Sequence, residues 1–259
     1  MKKYTLPVNC KKKKCTEFGK CPQIKAEVHS LNNGKVHILF FGQGGGKEEE
    51  EQRLPFVGVA GEVVRNVLKH IKSDIGRPFG YGLDNIIRCF PDKHKPTENQ
   101  IHNCLPNLIE DIERLKPQVL VPFGNYAIKS IYPDIEYKSI TSISGKLFNI
   151  EINGKKYKMV PCIHPSYVHR NKGDKVILNK FRTSIISALK ETSLAKKINI
   201  KSEAKNIETK YSKLGEYVLL DTFFRGNYWA YMSCPDYMVE RIYTFKGIEA
   251  EVSQNKHGI

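Results

Sequence analysis

Between residues 36 and 190 the chain alternates short apolar runs with stretches of helical period, and this limits its folds more than any other feature. The run "VHILFFG" (36–42) closes on a glycine, as a buried strand does. Val63, Val64, Val67, Leu68 and Ile71 then recur with the spacing of one helix face. The pattern returns in "DNIIRCF" from Asp84, in Leu105, Leu108, Ile109, Ile112 and Leu115, in "VLVPFG" from Val119 and in "NYAIKSI" from Asn125. Strands alternating with helices predict a central, mostly parallel sheet covered on both faces, a three-layer α/β/α body. "LFNIEINGKKYKMVPCIHP" reads as two extended segments around Asn153-Gly154, a hairpin signal, and "KVILNKFRTSIISALK" reads as a closing helix. The body (1–195) is therefore expected to end near residue 195. Residues 196–259 are expected to form a polar linker and a small, partly β carboxy-terminal extension, rich in aromatic and β-branched residues but without a chemical motif.

A chain of 259 residues with 40% hydrophobic composition can bury a sizeable core. Forty-two Lys and Arg against 27 Asp and Glu leave a net charge of +15, which points first to a polyanionic partner, although lysine-rich surfaces also occur on proteins that bind no nucleic acid. The amino terminus "MKKYTLPVNCKKKKC" has the lysines of a signal peptide but no apolar segment after them. No stretch approaches the roughly eighteen apolar residues of a membrane span, so an intracellular, cytoplasmic protein with no membrane partner is expected. Seven cysteines are an odd number in a chain too large to depend on disulfides, which suggests a reducing compartment and metal ligation by some of them.

The segment "GQGGGKEEEEQRLPFVGVAG" (42–61) matches neither common phosphate cradle. Gly42 and Gly46 enclose three residues where a P-loop needs four, and Glu48 follows Lys47 where it needs Ser or Thr. A dinucleotide fingerprint would need glycine in place of Lys47. A flexible turn with a solvated acidic run accounts for the glutamates, but not for "LPFVGVAG", an aromatic between small residues at the start of a helix. In a doubly wound sheet the ligand sits beyond the carboxyl ends of the strands. The candidates there are the 42–61 loop, Asn85 with Cys89, Gly124, and "HPSYVHRN" after the last strand.

In order and spacing, Gly42 to Gly61, "DNIIRCFP", "CLPNLIEDIERLKPQVLVPFGNYAIKSI" and "HPSYVHRN" resemble the uracil-DNA glycosylase superfamily, closest to its iron-sulfur-containing type, family four. The resemblance covers roughly residues 8 to 190. It implies a monofunctional DNA-repair hydrolase, acting as a monomer, that flips uracil out of uracil-containing DNA and cleaves its N-glycosidic bond, leaving an abasic site. By resemblance His164 donates to uracil O2, Asn85 reads the base edge, and Phe56 stacks on the flipped base. By residue type alone, these three equally suit a capping histidine, a turn asparagine and a core aromatic. Ser166, Val168 and Arg170 fall on the segment that the family presses into the minor groove. The carboxy-terminal extension is a candidate contact for a replication or repair protein.

Two departures from the family stand out. Its first motif usually reads Gly-Glu-(Ala/Gly)-Pro-Gly, whereas here Gln43 replaces the acid within Gly42 to Gly46. Gln43 cannot act as a base, though it can position water or bind uracil, and Glu49 is the carboxylate left to orient water or face a cationic sugar. The degraded motif keeps open a catalytically weak or inactive glycosylase-like DNA-binding accessory protein. His94 in "DKHKPTE" resembles the loop histidine of a branch that captures the abasic sugar covalently, but lacks that branch's arginine-rich insertion. For the cofactor, the resemblance implies a [4Fe-4S] cluster on Cys15, Cys21, Cys89 and Cys104, with Cys10 an alternative because the family's amino-terminal Cys-x-x-Cys is absent here. Such a cluster would set Lys11 to Lys14 beside the DNA groove. Free thiols or a four-thiolate zinc site are the alternatives.

Overall fold

The run that begins at Val36 becomes β3 (Ile38–Gly44), the middle of a seven-stranded sheet, in a computed structural model that describes residues 1–5, 23–90, 97–171, 174–195, 218–224, 227–233, 241–246 and 249–254. The chain divides into two compact units, Met1–Ile198 and Asn199–Ile259.

In the first unit β1 (Lys2–Thr5), β2 (Glu27–Ser30), β4 (Tyr81–Ile87), β5 (Val119–Pro122), β6 (Phe148–Ile152) and β7 (Lys155–Met159) join β3 in the order β1-β2-β4-β3-β5-β7-β6. The central four strands, β4-β3-β5-β7, run parallel, and β1, β2 and β6 add antiparallel edges. The β6–β7 hairpin turns at Asn153 and Gly154, both with positive φ (50° and 74°), as a two-residue turn between twisted strands requires. β1 and β2 have no counterpart in the apolar alternation, because the edge strand "KKYT" is exposed along its whole length and "EVHS" buries the polar Glu27 and Ser30 beside Val28.

Strand alternation sends side chains to two apolar layers. Ile38, Phe40, Leu83 and Val121 pack with α2 (Val59–Asp74) and α7 (Lys175–Lys190) through Val64, Leu68, Phe181 and Ile185. Leu39, Phe41, Leu120 and Ile86 pack on the other face with α3 (Glu98–Leu115) and α4 (Gly124–Ile131) through Leu108, Ile112 and Ile128. This is the three-layer α/β/α body that the sequence predicts. Shorter helices complete it: α1 (Lys47–Gln52), α5 (Ile140–Ile143) and α6 (Pro165–Arg170). α3 starts at a reciprocal cap in which Thr97 Oγ1 accepts from the Gln100 amide while Gln100 Oε1 accepts from the Thr97 amide.

The second unit is an antiparallel sheet of β8 (Val218–Phe224), β9 (Asn227–Ser233), β10 (Arg241–Lys246) and β11 (Glu249–Gln254), each paired with its neighbour in sequence. Among the described residues no helix is long and apolar enough to cross a membrane.

Candidate active site

The parallel register of β3 and β4 sets Gly42 beside Asn85, and the space above this pair is shaped by what Gly42 lacks. A Cβ on Gly42 would lie 2.9 Å from Asn85 Oδ1 and 3.2 Å from Phe56 Cζ. Glycine thus lets the carboxamide and the ring converge. Asn85 is buried, and its Oδ1 has no hydrogen-bond partner among the described residues. A buried acceptor without a donor costs free energy, so its retention fits a site whose donor arrives with a ligand. Phe56 leaves the loop with φ 53° and meets the ring of Phe123 edge-on, centroids 5.6 Å apart.

The acidic run is a short helix rather than a solvated turn, and Glu49 is its inward residue. Its Oε1 accepts from the Val57 amide (3.0 Å) and the Gly58 amide (2.8 Å), and its Oε2 from the Gly46 amide (2.8 Å). Both carboxylate oxygens are therefore engaged in holding the loop that carries Phe56, which argues against the water-orienting role read from sequence. Gln43 stands half-buried between Gly42 and Gly44 at the end of β3.

His164 caps α6. Its Nδ1 accepts from the Ser166 backbone amide (3.1 Å), so in the neutral imidazole the proton sits on Nε2. Arg170 Nη1 donates to Ser166 Oγ (3.2 Å), which in turn lies 2.7 Å from His164 Nδ1 and is oriented to donate to it. Burial, aided by the nearby Arg170 charge, pushes the imidazole pKa down to about 4. Gly124, at φ 81°, backs the ring: a Cβ there would lie 3.1 Å from His164 Cβ and 3.3 Å from its Cδ2.

Val168 is turned inward, away from the surface on which a groove contact would be made. The one-turn helix rotates it into the α2–α7 layer, where it is buried in the cluster that contains Val64 and Phe181. Tyr167, which sequence reasoning passed over, is 40% exposed, and Arg170 is exposed beside it at i+3. His94, Cys10, Cys15 and Cys21 lie outside the described residues.

A family model described as the uracil DNA glycosylase superfamily matches residues 29–190. The chain belongs to that superfamily. It is 31% identical over 144 residues to a type-4 uracil-DNA glycosylase of Archaeoglobus fulgidus, covering 54% of this chain and 71% of that protein. It is 33% identical over 168 residues to one of Thermotoga maritima (63% and 82%), and 27% identical over 168 residues to one of Saccharolobus solfataricus (64% and 77%).

Behind Asn85 this superfamily member carries a buried ion network that sequence reasoning missed. Asp84 Oδ1 accepts from the Asn85 amide (2.6 Å), and Arg88 Nη2 donates to Asp84 Oδ2 (2.8 Å) and to Asp111 Oδ2 of α3 (2.7 Å). Burial raises the pKa of both carboxyls against the opposing pull of Arg88. Charged residues four apart in the otherwise apolar run "DNIIR" were the available signal. Cys89, just past β4, and Cys104, in the second turn of α3, are both buried thiols outside any disulfide. Among the described residues no group of three or more His, Cys, Asp or Glu is arranged to hold a metal. Cys162 is fully buried and its thiol pKa is pushed up by burial, which suits an inert core cysteine.

Proposed function

We propose that the protein is a uracil-DNA glycosylase that excises uracil from DNA by hydrolysis of the N-glycosidic bond. The observation that carries this reading is the buried, partnerless Asn85 Oδ1 set against Gly42 and Phe56. Uracil presents an N3–H donor and an O4 acceptor side by side, and a carboxamide answers both at once. Cytosine presents the reverse pair, which would leave Asn85 buried against like groups. The Phe56 ring supplies a stacking floor worth about 1–3 kcal/mol to a flipped base.

Bond cleavage leaves negative charge on the departing base and positive charge on the sugar. A neutral His164 with its proton on Nε2 donates to uracil O2 as that charge grows, while the Ser166 amide and Oγ hold Nδ1 and fix the tautomer. Tyr167 and Arg170 form the exposed side of α6 and press on the DNA backbone and minor groove. Gln43 stands in place of an acid and Glu49 is engaged by three amides, so neither of the two positions read as handling water offers an uncommitted carboxylate. That observation favours slow turnover, and the second reading, a DNA-binding protein of this family with little activity, rests on it.

Cys89, just past β4, and Cys104, in the second turn of α3, are two buried thiols that would supply half of a four-thiolate site. Cys15 and Cys21 would complete a [4Fe-4S] centre, which when bound ties the amino-terminal segment to the body. The assay is incubation with uracil-containing and matched thymine-containing oligonucleotides followed by alkali. The expected outcome is strand breakage that depends on uracil, from a preparation whose visible iron-sulfur absorbance disappears in Cys89→Ser. Binding of uracil-containing DNA without breakage would select the second reading.

A further inference from the structure

Among the non-glycine residues of the pocket, Phe56 alone has a left-handed backbone. A bulky side chain rarely adopts that conformation, which costs on the order of 1–3 kcal/mol and persists only where the surroundings over-determine it. Two side chains do so. Glu49 takes the amides that follow Phe56, as described above. On the other side Arg65 of α2 takes the carbonyls: Nε donates to Phe56 O (2.7 Å) and Nη2 to Pro55 O (3.0 Å). The rest of the guanidinium fork turns to Glu27 of β2, with Nη1 donating to Oε1 (3.3 Å) and Nη2 to Oε2.

Glu27 is fully buried and also receives Lys3 Nζ (2.9 Å) and His29 Nε2 (2.7 Å). Burial alone would raise its pKa, but hydrogen bonds from His29, Arg65 and Lys3 outweigh it and hold the carboxyl well below the usual range. The carboxylate therefore stays charged and keeps the fork aimed. α2 seats directly on the same peptide: a Cβ on Gly61 would fall 2.0 Å from Phe56 O. An ion pair between β2 and α2 needs only the carboxylate and the guanidinium. Here the fork also closes on both carbonyls of the turn that presents the stacking ring, a geometry that lysine could not reproduce.

We infer that Arg65, oriented by Glu27, is a positioning residue of the base pocket: it holds the Pro55–Phe56 turn so that the Phe56 ring lies where a flipped base stacks. This rests on the glycosylase reading. The test uses the full-length protein under single-turnover conditions. Stacking lost equally from bound substrate and transition state weakens binding alone, so Arg65→Met raises the half-saturating concentration about tenfold and changes the maximal rate less than about threefold. Arg65→Lys does not rescue it. In a Phe56→Leu background, Arg65→Met adds less than about twofold, because the ring it positions is gone.

Amide hydrogen exchange supplies a readout that needs no activity. At Val57 and Gly58 it is expected to quicken about tenfold in Arg65→Met, with the amides of β3 and β5 unchanged. Unchanged exchange at Val57 and Gly58, or full additivity with Phe56→Leu, overturns the assignment. A parent protein that excises nothing while exchange responds sinks the glycosylase reading and leaves the clamp standing. Should Arg65→Met fail to fold, Glu27→Gln, which removes the charge that aims the fork, is read in the same way.

Discussion

The chemistry of the pocket turns on which proton a single imidazole keeps. His164 is neutral because burial and Arg170 oppose its charge, and its free proton is on Nε2 because the Ser166 amide occupies Nδ1. Replacing it by alanine removes the donor proposed to meet developing charge, and excision is expected to fall roughly a hundredfold or more in single-turnover assays. Its titration also links to stability. The folded-state pKa, about 4, lies below the ordinary value of 6.5, so between those values the unfolded chain binds the extra proton. Stability is then whole above about pH 6.5 and declines as pH falls towards 4. Urea midpoints measured across that window should drop more steeply for the parent than for His164→Gln, and equal slopes would show that the imidazole is not held neutral.

The pocket is also a product of how two strands are registered. β3 and β4 run parallel with Gly42 opposite Asn85, and only the missing side chain keeps Asn85 Oδ1 and the Phe56 ring in reach of one ligand. Gly42→Ala would push against both, hardest against the unpartnered Asn85 Oδ1, so the carboxamide must turn from the position in which it meets a base. Excision is expected to fall about tenfold or more with a thermal midpoint within a few degrees of the parent, as a methyl group in a ligand-sized space disturbs binding before folding. A parent-like rate would mean that the base sits elsewhere. The elements around this register were legible because apolar runs and helical periods are local signals. "VHILFFG" gave β3 and the spacing from Val63 gave α2. What was not legible depends on rotation or distance. In the six-residue α6 no period reveals which side faces in, so Val168 was read as exposed and Tyr167 was overlooked. The second residue of an acidic run looks as solvated as its neighbours until the Val57 and Gly58 amides fold onto it. Arg65 reaches Glu27 across 38 residues, and no spacing rule announces such a pair.

Charge is divided unevenly over the molecule. Residues 199–259 carry eight Lys and Arg and eight Asp and Glu, so the entire net charge of +15 lies in residues 1–198. The superfamily match, residues 29–190, falls within that same unit. Attraction to a polyanion is therefore a property of the α/β/α unit, and the four-stranded second unit adds no net steering charge. Each phosphate neutralised by a basic side chain steepens the fall of log affinity with log salt by about 0.9 on duplex DNA, so the salt slope counts the contacts made. A chain ending at Ile198 should bind uracil-containing duplex with the slope of the full chain to within about one contact, and should excise at a rate within about threefold of it. Fluorescence anisotropy over a salt series, run beside the excision assay, measures both quantities. A slope shallower by two or more contacts would place phosphate-binding residues in the second unit despite its balanced charge. An unchanged slope with lost excision would instead show that the second unit acts on the pocket rather than on the DNA.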